Sequence, residues 1–293
     1  MGLQHIPVMV EEVMTFLRCE PGRTYVDATL GGGGHALEIL KRAAPDGMVI
    51  GMEWDEEALS EAKKELMPFG ERVKIFRENF IHLPDLIQAE SVDGMLFDLG
   101  LSSFQVEKEG RGFSFKGEGP LDMRMDQRME QTAADLVNHL SLEELEYILF
   151  HYGEESWAKK IAKAIVLERE REPIETTQML RKIIHRAIPR RFHSRRIDPA
   201  TKTFQAFRIK VNDELENLRK ILGIGWTLLK KGGRMCIISF HSLEDRMVKE
   251  TFRKLESEGK VHVLTKKPVT PSEEERRRNP RSRSAKLRCA GRV

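Results

Sequence analysis

A glycine-rich turn between a β-like segment and a helical segment constrains the fold more than any other feature of this sequence. The run Thr24–Val26 is rich in strand formers, Asp27 ends it, glycines occupy positions 31–34, and a helical pattern runs from His35 to Arg42. Strand, glycine turn and helix form the ligand-facing turn of a doubly wound α/β sheet, because glycine permits positive φ and a close approach of ligand to backbone. The sequence therefore predicts a mostly parallel α/β sheet with a cofactor at this turn.

Two classes of cofactor use such a turn. Gly31, Gly33 and Ala36 match the dinucleotide pattern G-x-G-x-x-G/A, which is a weak signal by itself. Asp27 favours the other class, because a carboxylate beside the turn repels a pyrophosphate and attracts the ammonium and sulfonium charges of S-adenosylmethionine. An acid on the first strand before G-x-G is also typical of Rossmann-like methyltransferases. We predict S-adenosylmethionine as the cofactor, with NAD as the alternative.

Functional side chains follow the next three predicted strands. Glu53 ends the second strand, where doubly wound folds bind ribose hydroxyls, although an acid is also common at a helix start. Phe80 follows the third strand and either flanks an adenine ring or packs in the core. Asp98 ends the fourth strand, and Ser102 lies in the loop after it. Because ligands lie beyond the carboxyl ends of parallel strands, we expect this loop at the reaction centre, with helix capping as the alternative role.

A long stretch without strand pattern interrupts the sheet. The next buried strand after Asp98 begins at Arg234, 136 positions later (234 − 98), whereas a βαβ unit takes roughly 30 residues. We predict an inserted all-α domain over residues 108–214, which recognises the substrate, and a cofactor-binding domain formed by residues 1–107 and 215–293. The helices predicted from the periodicity are 130–139, 142–151, 155–170, 176–187 and 208–230. Strands near 261–264 and 285–289 are expected to close the sheet as an antiparallel pair.

Positive charge is concentrated in two runs, although the formal net charge is only +3. Residues 181–196 and residues 276–288 each contain several basic residues and no acid, and Phe192 and His193 are interleaved in the first run. Basic runs bind phosphates, and aromatic rings beside them stack on bases, so we predict nucleic-acid binding, with a solvated surface as the alternative. The predicted RNA contacts in the first run are Arg190, Arg191, Arg195 and Arg196.

Cysteine usage and hydropathy argue against several other classes. The three cysteines lie far apart and form no C-x-x-C pair, which predicts a reduced cytoplasmic protein without a disulfide framework or a zinc site. No segment of about 18 uncharged apolar residues occurs, and the first ten residues lack a signal-peptide pattern. We therefore expect neither a membrane span nor secretion.

Several long and unusual motifs extend over essentially the whole chain: Asp98–Gln105, Arg111–Phe115, Gly119–Asp126, Thr203–Ala206, Ser239–Arg246 and Asn279–Ser282. In these motifs the sequence resembles the MraW-type methyltransferases, which methylate N4 of a cytidine in the decoding region of bacterial small-subunit ribosomal RNA. The resemblance implies a Rossmann-like class I methyltransferase fold with an inserted all-α domain. It implies S-adenosylmethionine contacts at Gly33, Gly34, His35, Glu53, Phe80, Asp98 and Gln105.

The implied reaction is a direct displacement, in which the cytosine amine attacks the methyl group without a metal or a covalent enzyme intermediate. Other amino-methyltransferases carry a D/N/S-P-P loop with an aromatic residue after the fourth strand, whereas residues 98–101 read Asp-Leu-Gly-Leu here. The sequence therefore does not show which residues bind the cytosine ring. Ser102, Arg124 and His241 are candidate RNA contacts, with a structural hydrogen-bonded histidine as the alternative for His241.

The implied partner is small-subunit ribosomal RNA, either naked or in the assembled subunit. Two other functions stay open at this point. One is methylation of cytosine N4 in DNA, and the other is a non-catalytic RNA-binding role in ribosome assembly.

Overall fold

The computed structural model describes residues 6–102, 105, 108–194 and 197–293. The chain divides into two compact units, one formed by Met1–Ser102 with Leu215–Val293 and the other by Ser103–Glu214. We call the first the sheet unit and the second the helical unit, and we describe each by itself. No helix within the described residues combines the length and the apolar character that crossing a membrane requires.

The sheet unit contains seven strands in the order β3-β2-β1-β4-β5-β7-β6. Strands β1 to β5 are parallel, whereas β7 runs antiparallel to both β5 and β6, as predicted for the last two strands. The strands are β1 Thr24–Asp27, β2 Met48–Met52, β3 Val73–Phe76, β4 Val92–Asp98, β5 Leu229–Ser239, β6 Val261–Val263 and β7 Lys286–Arg292. The predicted class of fold, a mostly parallel Rossmann-like sheet, is confirmed.

Helices cover both faces of this sheet, because alternate residues of the central strands point to opposite sides. On β4, Leu96 packs into one hydrophobic cluster, whereas Met95 and Phe97 pack into another. The helices in this unit are Val10–Leu17, Gly34–Arg42, Glu56–Leu66, Leu83–Leu86, Ser242–Ser257 and Glu273–Arg278, together with Glu214–Ile224 at the boundary between the units. The sheet therefore has a hydrophobic core on each face, and the carboxyl ends of β1 to β5 lie along one edge between the two faces.

Strand order reverses between β1 and β4. The chain runs from β1 outward through β2 to β3, and then returns to β4 on the other side of β1. Ligands of open α/β sheets bind at such a switch point, outside the carboxyl ends of the strands. The residues predicted from the sequence as cofactor contacts after β1, β2, β3 and β4 therefore share one edge of the sheet.

The prediction of one helix over 208–230 is wrong. The structure has a helix Thr201–Val211, which the sequence reading missed, then a helix Glu214–Ile224 and a 3-10 turn before β5 begins at Leu229. Asn212 breaks the helix because its side-chain amide bonds the backbone nitrogen of Met125 at 2.7 Å and the Met123 carbonyl at 2.8 Å. The next residue adopts a left-handed φ of 47°. A helical stripe in the sequence does not reveal such a distant partner.

The helical unit consists mainly of short helices with local capping signals. Thr132 and Ser141 each begin a helix through a capping box with the acid three residues later. The helices are Ala133–His139, Leu142–Gly153, Ala158–Arg169, Thr177–Ala187 and Thr201–Val211. The helices predicted at 130–139, 142–151, 155–170 and 176–187 correspond to the first four. The prediction that this part of the chain recognises the substrate stays a prediction.

Candidate active site

Two glycines of the turn meet conformational demands that other residues do not. Gly33 precedes the helix Gly34–Arg42 with a φ of 89°, a region that side chains with a Cβ rarely adopt. A Cβ on Gly34 would lie 3.1 Å from the Pro7 ring, so a side chain here would require that ring to shift by a few tenths of an ångström. The tight turn brings backbone close to the carboxyl end of β1 and leaves the mouth of the switch point to the ligand.

The turn is tied to the neighbouring strands by specific hydrogen bonds. The Asp98 backbone nitrogen donates to the Thr29 hydroxyl at 2.6 Å, which joins the end of β4 to the turn after β1. The Gly31 nitrogen donates to the Glu53 carboxylate at 2.8 Å, which joins the same turn to the end of β2. The switch point is therefore a preorganised site rather than a loose loop.

Two carboxylates at this edge have an unused buried oxygen. Asp27 is 1% exposed and its Oδ1 accepts from the Thr29 nitrogen at 3.3 Å. Among the described residues, Asp27 Oδ2 and Asp98 Oδ1 are buried and have no hydrogen-bond partner. Buried polar atoms normally find a partner, so these two neighbouring oxygens are open to a group that the protein chain does not supply. For two carboxylates that group is a cation or a hydrogen-bond donor.

The pKa values of both carboxyl groups are raised. Burial raises the pKa of Asp27 from its ordinary value to about 7. Burial also raises the pKa of Asp98 well above its ordinary value, and the nearby charges of Asp27, Glu244 and Glu275 raise it further. A cation placed between Asp27 and Asp98 would stabilise their ionised forms and lower both pKa values.

His35 lies beside Asp98. The His35 Nε2 atom lies 2.9 Å from the Val8 carbonyl, which can only accept, so Nε2 carries a hydrogen. The other ring nitrogen, Nδ1, lies 3.6 Å from Asp98 Oδ2. This approach is attractive only when a proton lies on Nδ1 or on the carboxyl group. We therefore expect His35 to help position Asp98, and its predicted contact with the cofactor stays a prediction.

Glu53 is held in an orientation suited to a diol. Its two oxygens accept hydrogen bonds from the backbone nitrogens of Gly31 and Asp55, both at 2.8 Å. The side chain is 8% exposed, and burial raises its pKa to about 7. Each carboxylate oxygen has a second lone pair, so a ribose can still donate two hydroxyl hydrogen bonds to the fixed group.

Phe80 lies at the same edge, immediately beyond β3. Asn79 caps the short 3-10 turn Phe80–His82 by accepting from the Ile81 nitrogen at 3.1 Å. The Phe80 ring meets the Phe97 ring edge to face, with centroids 5.6 Å apart. Phe80 thus packs partly on the core, which was one of its two predicted roles. Its other predicted role, flanking the adenine ring, stays a prediction.

The remaining predicted cofactor and loop residues divide between the units. A Cβ built on Gly31 would lie 4.0 Å from the Ser102 Cβ, so Ser102 is close to the glycine turn. Gln105 belongs to the helical unit, where its side chain is 4% exposed. Its role in cofactor binding stays a prediction.

His241 has a structural task. Its Nδ1 accepts from the Glu244 backbone nitrogen at 3.3 Å, which caps the helix Ser242–Ser257. The Glu244 carboxylate in turn accepts from the Phe240 nitrogen at 2.8 Å and from the His241 nitrogen at 3.3 Å. This geometry favours the structural alternative over substrate binding, and we give His241 no role in the reaction.

Arg124 is likewise committed to its own loop. Its Nε and Nη2 atoms bind the Asp122 carboxylate at 2.9 and 2.8 Å, and Nη1 donates to the Met129 carbonyl at 2.6 Å. A guanidinium held by two parallel bonds to a carboxylate is neutralised and fixed. The structure thus gives no support to Arg124 as an RNA contact.

The two basic runs differ in the folded protein. Arg190 and Arg191 lie exposed in the 3-10 turn Arg190–Phe192 of the helical unit, whereas Arg195 and Arg196 lie outside the described residues. In the second run, Arg288 and Lys286 bind Asp245 at 2.6 and 3.3 Å. Part of the charge in the second run is therefore neutralised by an acid from another helix.

The sheet order and the acid-edged glycine turn together define a Rossmann-like methyltransferase. S-adenosylmethionine fits the residues present, because its two positive charges match the unpartnered oxygens of Asp27 and Asp98 and its ribose matches Glu53. A pyrophosphate would instead meet two carboxylates, so the NAD alternative is wrong.

The sequence matches the MraW methylase family over residues 2–293. It is 51% identical over 292 residues to the "Ribosomal RNA small subunit methyltransferase H" of Desulfotalea psychrophila, covering 99% of this chain and 98% of that protein. Identity to the protein of the same name from Geotalea uraniireducens is 49% over 307 residues, with the same two coverages. The chain belongs to the MraW methylase family and is a methyltransferase dependent on S-adenosylmethionine.

Proposed function

We propose that this protein transfers a methyl group from S-adenosylmethionine to N4 of a cytidine in the decoding region of small-subunit ribosomal RNA. The observation that carries the transfer chemistry is the pair of buried, unpartnered oxygens of Asp27 and Asp98 beside the glycine turn. The names of relatives about 50% identical over nearly the whole chain support the ribosomal substrate. A protein that modifies ribosomes acts where they are assembled, which places it in the cytoplasm.

The carboxyl ends of the strands divide the work of binding the donor. S-adenosylmethionine supplies, when bound, an electrophilic methyl group on a positively charged sulfur. Asp27 and Asp98 provide negative charge at the turn, and Glu53 accepts from the ribose hydroxyls. Phe80 provides an apolar surface at the end of β3 for the adenine. Gly33 and Gly34 allow this close approach because neither carries a side chain.

Asp98 is our candidate for orienting the cytosine amine. The lone pair of this amine is shared with the ring, so an acceptor aimed at its N–H and correct positioning raise its reactivity. The amine must lose a proton as the new bond forms, and Asp98, ionised beside the positively charged donor, can accept that proton. His35 Nδ1, 3.6 Å from Asp98 Oδ2, holds the carboxyl group in place for both tasks. Ser102, beside the turn, is a second polar group for the base.

Transfer of a tritiated methyl group to small subunits that lack the modification tests this proposal. We expect the wild-type protein to label the RNA, and nucleoside chromatography to find the label in N4-methylcytidine. Asp98→Ala should abolish labelling. A matched control is Asp93→Asn on the same strand, because Asp93 lies at the opposite end of β4 and binds Arg23 and Lys230.

The same assay separates the alternatives. Protein-free ribosomal RNA and single-stranded DNA of the same sequence are offered in parallel with the subunit, at equal concentration. Preferred labelling of the DNA would establish a DNA methyltransferase and contradict the proposal. A protein that binds subunits without labelling any substrate would instead be an assembly factor.

A further inference from the structure

The helical unit exposes an aromatic pair outside its core. The rings of Trp157 and Phe192 lie with centroids 5.0 Å apart and planes inclined by 54°. Phe192 is 52% exposed, although burying a phenylalanine is worth about 1.5–3 kcal/mol. Exposed apolar groups rimmed by polar residues mark interaction sites. The pair is therefore a candidate binding surface.

Each ring of the pair carries a cation. The Lys160 ammonium lies 4.6 Å from the centroid of the Trp157 ring, and the Arg191 guanidinium carbon lies 4.9 Å from the centroid of the Phe192 ring. Within the part of the chain that the structure describes, Lys160, Arg190 and Arg191 form no ion pair with a carboxylate. Three cations of this surface are therefore available to an anion.

Two acids of the helical unit, Asp198 and Glu168, already have basic partners. Asp198 binds the Arg181 guanidinium at 2.8 Å and the His185 ring at 2.9 Å. Glu168 binds Arg186 at 3.2 Å. Neutralisation of these acids leaves the surface around Arg190 positive, as a site for phosphate requires.

A groove of about 550 Å³ is lined in part by Arg190 and His193, which flank Phe192 in the chain. Its volume lies in the range of roughly 300–1,000 Å³ in which pockets hold small molecules. Its lining is two histidines, two arginines and two apolar residues, namely His185, Arg186, Ile188, Pro189, Arg190 and His193. The groove thus offers the Arg190 cation to a phosphate, because Arg186 and His185 are already paired with acids.

The surface is preorganised by backbone hydrogen bonds. The Phe192 nitrogen donates to the Pro189 carbonyl at 2.9 Å, and the His193 ring binds the Ile188 carbonyl at 2.8 Å. The Trp157 nitrogen donates to the Glu155 carboxylate at 2.9 Å. These bonds fix the backbone that carries the rings, so less backbone entropy is lost when a ligand binds there.

We propose that this surface, formed by Trp157, Lys160, Arg190, Arg191 and Phe192, binds an unpaired nucleotide of the RNA outside the target cytidine. The base stacks on the exposed aromatic and guanidinium faces, and its phosphate binds in the groove at Arg190. Proteins bind single strands through such stacking, whereas a duplex hides its base faces. An acidic protein segment would use the cations but gain nothing from the rings, so the geometry favours RNA. The inference rests on the proposed RNA substrate.

Binding of a fluorescein-labelled single-stranded RNA of about 20 nucleotides with the decoding-region sequence tests the proposal. Phe192→Ala should weaken the Kd roughly 5- to 150-fold, the range of one stacked base, and should leave the same RNA in duplex form unaffected. Phe150→Ala is the matched control, because Phe150 is 58% exposed in the same unit but lies outside the surface. Arg190→Gln with Arg191→Gln should lower the slope of log Kd against log salt by about 1.4.

The charge control replaces Lys63 and Lys254, which are exposed in the sheet unit, by glutamine. It removes the same charge and should leave the salt slope unchanged. In methyl transfer, Phe192→Ala should raise the KM for RNA without changing kcat or the Kd of S-adenosylhomocysteine.

Two results would overturn the proposal. One is an unchanged Kd of Phe192→Ala for the single strand. The other is weaker binding of this variant to assembled subunits but not to protein-free RNA, which would show that the surface docks a protein. The binding measurements need no methyl donor, so they distinguish this failure from that of the proposed function. If the wild-type protein binds the strand through Phe192 but labels no RNA, that result would contradict only the proposed methyl transfer.

Discussion

The sheet unit and the helical unit carry uncompensated charge of opposite sign. At the edge of the sheet, Asp27 and Asp98 are carboxylates that meet no lysine or arginine within the described residues, and His35 is the only ion-pair partner there. On the helical unit, Arg190 and Arg191 are cations without a carboxylate among those residues. The acids are buried and the cations are exposed. Because the acids are buried, ligand binding at the sheet edge should depend on pH and little on salt. Because the arginines are exposed, ligand binding at the helical unit should depend on salt and little on pH.

The largest expected effect is at the buried acids. Asp98→Asn removes a negative charge next to the reacting groups and should lower the rate of methyl transfer by about 10²- to 10³-fold, the usual size of one preorganised electrostatic contact. Single-turnover kinetics with saturating donor measure this rate. Asp93→Asn, at the other end of β4, should change stability but not the rate. Equal rate losses in both variants would mean that Asp98 acts only through the fold.

The pH dependence of donor binding is the next effect in size. The pKa of Asp27 is about 7 in the folded protein, so at lower pH the donor must displace a proton. Its affinity should rise by about tenfold per pH unit up to pH 7 on this account and then level off. Calorimetric titration from pH 5.5 to 8.5 measures the slope, and Asp27→Asn should reduce it by one proton. An unchanged slope in the variant would place the titration on another group.

The same linkage has the opposite sign for the ligand-free protein. The raised pKa means that the folded state keeps a proton that the unfolded state releases above about pH 4. Stability from this group is fully present below pH 4 and is lost as the pH rises to about 7. Urea unfolding at several pH values should show this loss in the wild type and a smaller loss in Asp27→Asn.

Salt should act on the helical unit. Three phosphate contacts by Lys160, Arg190 and Arg191 give a log–log slope of about −2 for a single strand, which is about 20-fold weaker binding between 50 and 200 mM salt. The Kd of S-adenosylhomocysteine should change much less over this range, because its partners are buried. Parallel titrations of the RNA and of S-adenosylhomocysteine at several salt concentrations test this difference. Equal salt dependence of the two Kd values would contradict it.

Arg288 of the second basic run should behave as part of the fold. Arg288 is buried and binds Asp245, so Arg288→Gln should lower the free energy of unfolding by about 1.5–3 kcal/mol, the worth of a charged hydrogen bond. The salt slope of RNA binding should not change. Chemical denaturation and the RNA titration measure the two quantities, and a lower slope would assign this arginine to the RNA surface.

The smallest expected effect is at His241. Asparagine is a good N-cap, so His241→Asn should keep both stability and activity, whereas His241→Ala should cost about 1 kcal/mol of stability. Thermal unfolding and the methyl-transfer rate measure the pair. Loss of activity in the stable asparagine variant would return His241 to the reaction.

Local signals in the sequence predicted most of the sheet unit. The strand Thr24–Asp27 has the predicted bounds, and the glycine turn, Glu53 and Asp98 lie at one edge because parallel strands align their carboxyl ends. The sequence left two roles open for His241 and did not predict the bonds of Arg124 to its own loop, because each role depends on which neighbour bonds the side chain. The helix break at Asn212 was missed for the same reason, since its partner Met125 is 87 positions away.

The sequence by itself determined the elements, the order of chemistry along the chain and the affinity for a cation at the glycine turn. These properties depend on near neighbours: a strand pattern, a cap, a glycine. Only the tertiary structure decided which charged side chains form ion pairs within the protein and which do not. The two basic runs look alike in sequence, yet Asp245 neutralises Arg288 across 43 positions while Arg190 stays open. Ion pairing, burial and pKa depend on contacts between distant segments, which a linear pattern does not contain.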